Sequence, residues 1–270
     1  MCDRRSSGNY LKDLLIIRSS VQQTNTEYDM SENHGNYVFF SDFDIDAINV
    51  DPTDNFFTPV LKEVFKNVGQ PQTVCDVGCG NGVFTVNLKN EAGCHLTGVD
   101  GSPYALQKAS ALGFDFLHLV KDFSTDRLPL EDNSFDLVIN KDVLEHLLSP
   151  ENLVQEMARI TKPNGYLVVM VPNHFPISGR FRLLVDNTID PFNYFPNACR
   201  WDFPHIRFFN QKDFLLLMRR AGLTPVRCLS NHFPALPKIG RILTKKMRER
   251  IARNRPDAFA EAYVWLMQKQ

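Results

Sequence analysis

The chain has 270 residues, of which 43% are hydrophobic, and its formal net charge is −1. This size suits one well-cored domain with appended segments, and the near-neutral charge excludes a global field that would attract nucleic acid or membrane. No apolar run approaches the ~20 residues of a transmembrane helix, and no secretory pattern is present, so a soluble cytoplasmic protein is expected.

The N-terminal part of the chain changes in composition near residue 36. Residues 1–35 are polar and mixed, which predicts a flexible segment. Residues 36–58 combine aromatic and acidic side chains, and they either pack on the core or cover a ligand site as a lid. Residues 36–270 are expected to form a single domain. Six cysteines without disulfide or zinc spacing predict reduced thiols.

From residue 59 onward, strand and helix patterns alternate, which predicts an α/β fold. The predicted helices are residues 59–68, 83–90, 103–112, 151–160 and 211–221. The predicted strands are residues 73–77, 95–99, 116–120, 135–140, 166–171, 223–229 and 260–268.

The turn after the first predicted strand holds the most informative pattern. Three glycines follow the strand with Gly-x-Gly-x-Gly spacing, namely Gly78, Gly80 and Gly82. Such glycines let a ligand approach the backbone closely, and the following helix start offers free N–H groups. Asp100 ends the second strand, where a carboxylate can accept hydrogen bonds from both hydroxyls of a ribose.

Two nucleoside cofactors compete for this turn. A dinucleotide site requires Gly-x-Gly-x-x-Gly, and here the third glycine comes one place early. The carboxylate of Asp76, two residues before the first glycine, would repel a pyrophosphate but attract a cation. S-adenosylmethionine carries an ammonium and a sulfonium. It is therefore the expected cofactor, with S-adenosylhomocysteine as the product.

These motifs resemble those of the class I S-adenosylmethionine-dependent methyltransferases over about residues 70–230 and the last strand. Further matching segments are residues 128–136, 143–146 and 162–166. The resemblance implies a Rossmann-like fold with a doubly wound, mostly parallel sheet of seven strands and an antiparallel last strand. Within the family, the chain is similar to methionine-biosynthesis, ubiquinone-biosynthesis and glycan-modifying methyltransferases.

The resemblance also implies a set of cofactor-binding residues. Asp100 would bind the ribose, Asp122 would bind the exocyclic amine of adenine, and Asn140 would lie near the methionine end. The complete implied set is Asp76, Gly78, Cys79, Gly80, Asn81, Gly82, Asp100, Gly101, Ser102, Lys121, Asp122, Phe123, Asn140 and Lys141.

Residues 172–209 form a connection far longer than usual, and we expect this insertion to act as a substrate lid, since long ordered loops at strand carboxyl ends are usually functional. His174 and His205 lie near its two ends beside aromatic residues. With His146, which follows the fourth strand, they are the candidates for a catalytic base, because an imidazole titrates near neutral pH. A purely structural role is the alternative for each.

The segment after the fourth strand carries a second cluster. Asp142, Glu145 and His146 have i,i+3 and i,i+4 spacing. Metal-dependent ubiquinone-biosynthesis O-methyltransferases and small-RNA 2′-O-methyltransferases carry Glu-x-x-Glu-His here, whereas this motif begins with Asp. Three interpretations are open: the residues pack the loop, His146 is a general base, or the cluster binds a divalent metal. The metal is the least favoured.

Residues 238–255 carry eight lysines or arginines and one acid, with apolar residues at helical spacing. This pattern predicts a basic amphipathic helix, either as an ordinary surface or as a contact for a membrane, a phosphate or RNA.

The sequence therefore predicts an S-adenosylmethionine-dependent methyltransferase (EC 2.1.1.-) that acts on an oxygen of a small molecule or glycan. The aromatic insertion favours a closed pocket over an open nucleic-acid groove, so nucleic acid is not an expected partner. Two alternatives stay open: an RNA or protein methyltransferase that uses the basic helix, and a non-catalytic subunit that binds S-adenosylmethionine.

Overall fold

The computed structural model describes residues 50–52, 55–185, 205–230 and 243–270. The strands are β1 (Thr73–Val77), β2 (His95–Asp100), β3 (Phe116–Leu119), β4 (Phe135–Lys141), β5 (Thr161–Pro172), β6 (Leu223–Cys228) and β7 (Ala262–Lys269). The helices are α1 (Thr58–Val68), α2 (Asn87–Ala92), α3 (Pro103–Leu112), α4 (Pro150–Ile160), α5 (Ile177–Val185), α6 (Gln211–Arg220), α7 (Lys245–Asn254) and α8 (Pro256–Phe259). A 3₁₀ turn spans Leu144–His146.

The strands form one sheet in the order β3-β2-β1-β4-β5-β7-β6. The first five strands pair in parallel, and β7 runs antiparallel between β5 and β6. The prediction of a doubly wound, mostly parallel sheet with an antiparallel last strand is confirmed. The strand order reverses between β1 and β4, and ligands of open α/β sheets bind at the carboxyl ends of strands beside such a reversal.

Local sequence signals explain where α3 begins. The Ser102 hydroxyl accepts a hydrogen bond from the Ala105 N–H, and Pro103 occupies the first position of α3. In α4, one face is buried against the sheet through Leu153, Val154 and Met157. Two apolar clusters fill the two faces of the sheet, so its strands are buried on both sides.

Two predicted helical segments differ from the structure. The helix predicted over residues 83–90 begins only at Asn87, because the chain is still in turns that close on the Gly82 carbonyl. The segment with Asp142 is not helical, since Asp142 has a positive φ of 54° and lies before the 3₁₀ turn. Its spacing therefore does not place Asp142, Glu145 and His146 on one face of an α-helix.

Several predictions fall wholly or partly outside the described residues. These are the flexible segment 1–35, most of the aromatic and acidic segment 36–58, residues 186–204 of the insertion, and the first part of the basic helix. The described part of that helix is α7, followed by the short α8. Among the described residues, no helix is long and apolar enough to cross a bilayer.

Asp136 joins the amino-terminal ends of β1 and β4, at the edge of the sheet opposite the strand carboxyl ends. Its carboxylate accepts hydrogen bonds from the backbone N–H groups of Gln72 and Thr73, each at 2.9 Å. Lys162 lies 2.7 Å away as an ion pair. Burial alone would raise the pKa of Asp136, but the hydrogen bonds from Lys162, Thr73 and Gln72 outweigh it and hold that pKa below its usual value.

We predict that Asp136→Asn lowers the free energy of unfolding at pH 7 by roughly 1–2 kcal/mol. A group with a lowered folded-state pKa stabilises the protein above its unfolded-state pKa, so the difference should shrink below about pH 4. Urea unfolding at pH 7 and pH 3.5 measures both values. Glu131→Gln, at an exposed position, is the control. A constant difference across this range would contradict the assignment.

Candidate functional site

The turn after β1 is shaped by contact with the segment after β4. Gly78 has a positive φ of 79°, and a Cβ built on it would collide with the side chain of Val143. Its N–H donates to the Val99 carbonyl at 2.7 Å, which holds the turn against β2. A larger residue would have to push apart the two segments that form this edge of the sheet, so glycine is required at this position.

Asp100 lies at the end of β2 and faces the same turn. One oxygen accepts from the Gly80 N–H at 2.8 Å, and the other accepts from the Ser102 N–H at 2.9 Å. Burial raises the pKa of Asp100 despite these hydrogen bonds and one from Gly101. A Cβ built on Gly80 would meet open space, so the room beside Asp100 can accept a ligand. A carboxylate fixed in this way suits the vicinal hydroxyls of a ribose.

Asp76 is the buried carboxyl of the site. The Thr85 hydroxyl donates to its Oδ2 at 2.5 Å. Burial raises the pKa of Asp76 to about 7, although the Thr85 hydrogen bond and the charge of Lys141 lower it. A cationic ligand would restore the charged form of this carboxyl. Thr85 is not among the site residues expected from the sequence, because only the turns before α2 bring its hydroxyl to Asp76.

Lys141 lies against two aromatic rings at the end of β4. Its ammonium lies 4.1 Å from the ring centroid of Phe84, 5.1 Å from that of Phe56 and 2.7 Å from Asp142. Phe56 belongs to the segment that was expected to pack on the core or to form a lid. Its described end does reach the glycine turn, where the Asn55 amide donates to the Val83 carbonyl.

Other residues of the implied cofactor set have clear local roles. The Asn140 amide donates to the Val77 carbonyl at 2.8 Å and so joins β4 to β1. Asp122 accepts from the Ser124 N–H at 2.8 Å and shapes its own turn. The ring of Phe123 is buried in the core, which leaves little of it for contact with a ligand.

The remaining members of that set lie on the same turns. Cys79 and Asn81 are buried within the glycine turn, Gly101 is buried after β2, and Lys121 is exposed after β3. Together, the carboxyl ends of β1, β2 and β4 fit a ligand that has a hydroxylated sugar and a cationic group.

The three candidate histidines meet although they are far apart in the sequence. His174 Nε2 lies 2.8 Å from His205 Nδ1, and the ring centroids of His146 and His205 are 4.8 Å apart. The backbone explains this meeting, because the N–H groups of Ile206 and Arg207 donate to the Glu145 carbonyl at 2.9 and 3.0 Å. These bonds hold the end of the insertion against the 3₁₀ turn.

His174 is neutral at physiological pH. Its burial and the repulsion from His146 lower its pKa to about 4. A neutral His174 can accept from the Nδ1–H of His205 through Nε2, or it can donate its own Nε2–H to Nδ1 of His205. The first of these tautomers leaves the lone pair of His205 on Nε2. A histidine oriented in this way can accept a proton or bind a metal.

Glu145 is fully buried beside these histidines. Among the residues that the structure describes, neither of its carboxylate oxygens has a hydrogen-bond partner, and His146 Nε2 is 4.0 Å away. Burial raises the pKa of Glu145 well above its usual value, and Asp142 adds to this effect. Such a group is costly to bury without a partner, and it points to a proton or a cation at the site.

The structure groups Glu145 and His146 with His205 rather than with Asp142. Glu145, His146 and His205 each offer one ligand atom, and these atoms lie within 4.8 Å of one another. Asp142 is held by Lys141 instead. The candidate metal group therefore contains His205 in place of the Asp142 expected from the sequence. Asp142 has a positive φ, so the chain around it is not the α-helix that its spacing suggested.

Residues 53–227 match the family model described as "Methyltransferase domain". An uncharacterized protein of Haemophilus influenzae is 35% identical over 133 residues, which cover 45% of this chain and 53% of the relative. A ubiquinone biosynthesis O-methyltransferase of Maricaulis maris is 29% identical over 106 residues, or 37% and 40% of the two chains. The chain thus spans about half or less of the length of these curated relatives.

Solved structures show the same fold. A chain of the complex between the Haloferax volcanii Trm112 methyltransferase activator and a methyltransferase has a TM-score of 0.52 and 22% identity, covering 77% of this chain and 88% of that one. A S-adenosylmethionine-dependent methyltransferase from Methanosarcina mazei has a TM-score of 0.51 and 19% identity, covering 76% and 96%.

Asp76→Asn should raise the thermal midpoint at pH 8, because the amide keeps an acceptor for Thr85 and removes a costly buried charge. The folded-state pKa of about 7 lies above the unfolded value, so the wild type loses stability as the pH rises from about 4 to 7. We expect a gain of roughly 2–8 °C at pH 8 and a smaller gain at pH 5. Calorimetric scans of both proteins measure it, and an equal gain at both pH values would contradict the explanation.

Proposed function

Because the chain belongs to the class I S-adenosylmethionine-dependent methyltransferases, we propose that it transfers a methyl group to an oxygen of a small-molecule or glycan acceptor. S-adenosylmethionine, when bound, supplies an electrophilic methyl group on a sulfonium. The cluster of His146, His174 and His205 carries the acceptor side of this proposal, since an alcohol becomes a competent nucleophile when a positioned base takes its proton.

The carboxyl ends of β1, β2 and β4 would hold the cofactor. Asp100 would accept hydrogen bonds from the ribose hydroxyls, and Asp76 would balance the positive charge of the methionine part. Lys141, held above Phe84, offers a cation for the cofactor carboxylate. The buried carboxyl and the open space at Gly80 support this fit.

His205 is the best candidate for the base. In the tautomer in which the Nδ1–H of His205 donates to the neutral, buried His174, the Nε2 lone pair of His205 would receive the proton of the acceptor. His146 lies edge-on to His205 and would position that ring. The ubiquinone biosynthesis O-methyltransferases among the relatives support an oxygen acceptor.

A metal-assisted version of this reaction is the second candidate. The observation that favours it is the buried carboxylate of Glu145. It has no hydrogen-bond partner within the described part of the chain, and it lies with His146 and His205 within reach of one ion. Two imidazoles and one carboxylate suit Mn²⁺, Fe²⁺ or Zn²⁺. Such an ion would lower the pKa of an acceptor hydroxyl as a Lewis acid.

We predict that calorimetry detects micromolar-range binding of S-adenosylmethionine to the wild type and a loss of at least about tenfold in affinity for Asp100→Ala, because the ribose acceptor is removed. Binding near pH 7 should also release protons, since a cation beside Asp76 favours its charged form. Asp115→Ala, on the amino-terminal side of β3, is a control. No binding to the wild type would contradict the cofactor assignment.

His205→Ala should lower kcat by about 10²–10⁴ with unchanged cofactor affinity, whereas exposed His95→Ala should have no effect. The assay follows S-adenosylhomocysteine release with pooled small-molecule and glycan extracts.

Chelation distinguishes the general-base reaction from the metal-assisted one: a general base works in EDTA, whereas a metal site loses activity and regains it with Mn²⁺ or Zn²⁺. Turnover only with RNA or protein, or none at all despite cofactor binding, would contradict the proposed acceptor.

A further inference from the structure

Helix α5 exposes its apolar residues instead of burying them. Ile177, Phe181, Leu184 and Val185 are 41%, 65%, 85% and 63% exposed. Their spacing of i, i+4, i+7 and i+8 places them on one face, which we call the apolar stripe. A soluble helix normally turns such a face to the core, so a solvent-facing stripe indicates a contact surface.

The sequence of α5 is also basic. Helix α5 contains Arg180 and Arg182 and no acidic residue. The Arg180 guanidinium donates to the carbonyls of Phe175 and Asp257, so α5 is anchored against α8 while the stripe stays exposed. An amphipathic helix with arginines and no acids has the composition of helices that lie in the interface of a membrane.

Helix α7 is also basic, and it leads directly into α8, on which α5 is anchored. Lys245, Lys246 and Arg250 are exposed, and Glu249 is the single acid of α7. Arg253 instead forms an ion pair with Glu63 at 2.5 Å and fixes the helix to α1. Helix α7 is therefore a second cationic helix, and α8 links it to α5.

Apolar surface also leads from α5 towards the histidine cluster. Phe175 and Phe208 are both partly exposed, and their ring centroids are 6.1 Å apart. The ring of Phe208 lies 4.8 Å from that of His174. Phe175, two residues before the stripe, is thus linked through Phe208 to the histidine cluster.

We propose that α5 and α7 bind an anionic lipid bilayer, with the apolar stripe inserted among the headgroups and the cations of α7 over the anionic lipids. Transfer of apolar side chains from water to acyl chains lowers the free energy, whereas RNA offers them no apolar interior. This inference rests on the proposed function: the acceptor class is then a lipid-linked alcohol or glycan presented from that bilayer.

The test is sedimentation of the 270-residue protein with vesicles, without cofactor or acceptor. One vesicle type contains phosphatidylcholine alone, and the other contains equal parts of phosphatidylcholine and phosphatidylglycerol. We expect binding to the second type. The double variant Phe181→Ser, Leu184→Ser should weaken it by roughly tenfold or more, because two inserted side chains are lost. Phe116→Ser, at a position 61% exposed on edge strand β3, is the matched control and should bind normally.

Charge removal gives a second measurement. Lys245→Gln with Lys246→Gln should weaken binding roughly fivefold per charge at low salt and less at high salt. The proposal is overturned if the wild type does not sediment with anionic vesicles, or if the stripe and control variants behave alike. It is also overturned if the stripe variant abolishes dimerisation or RNA binding rather than vesicle binding. Calorimetry with S-adenosylmethionine is independent of these outcomes and tests the enzyme assignment separately.

Discussion

The parallel pairing of β1 with β4 is the constraint on which the whole site depends. It joins strands that are about sixty residues apart in sequence, with Val77 opposite Asn140, and the Asn140 amide reinforces it by donating to the Val77 carbonyl. This pairing reverses the strand order and brings the glycine turn and the 3₁₀ turn to one edge of the sheet. The contact between Gly78 and Val143 is a direct consequence of it.

The edge formed in this way contains ionisable groups in unfavourable surroundings. Burial disfavours the charged forms of Asp76, Glu145 and His174 alike. The opposite end of the sheet is different, because Asp136 there is well supplied with donors. These buried ionisable groups lower the stability of the fold, but they respond to a cation or a proton. Such local costs are common where binding and catalysis occur.

The site has two parts with separate chemistry. Around Asp76 and Asp100, the backbone of tight turns and two carboxylates suit a ligand that is both sugar-bearing and cationic. Around Glu145 and His205, imidazoles and a buried acid suit proton transfer or a metal. The segment from Phe175 to α5 then leads from this second part to an exposed apolar surface. This arrangement would connect the proposed acceptor chemistry with the proposed bilayer contact.

The sequence by itself determined the fold class, nearly all the strands and the turn that carries Asp76 and Asp100, because these follow from local apolar periodicity and glycine spacing. Only the tertiary structure decided which distant side chains meet. Thr85 reaches Asp76 through turns that were predicted as helix, and Phe56 and Phe84 surround Lys141 through packing. His205, rather than Asp142, completes the candidate metal group with Glu145 and His146, because two backbone hydrogen bonds hold the end of the insertion there. Such contacts depend on strand order and backbone dihedrals, which no local pattern encodes.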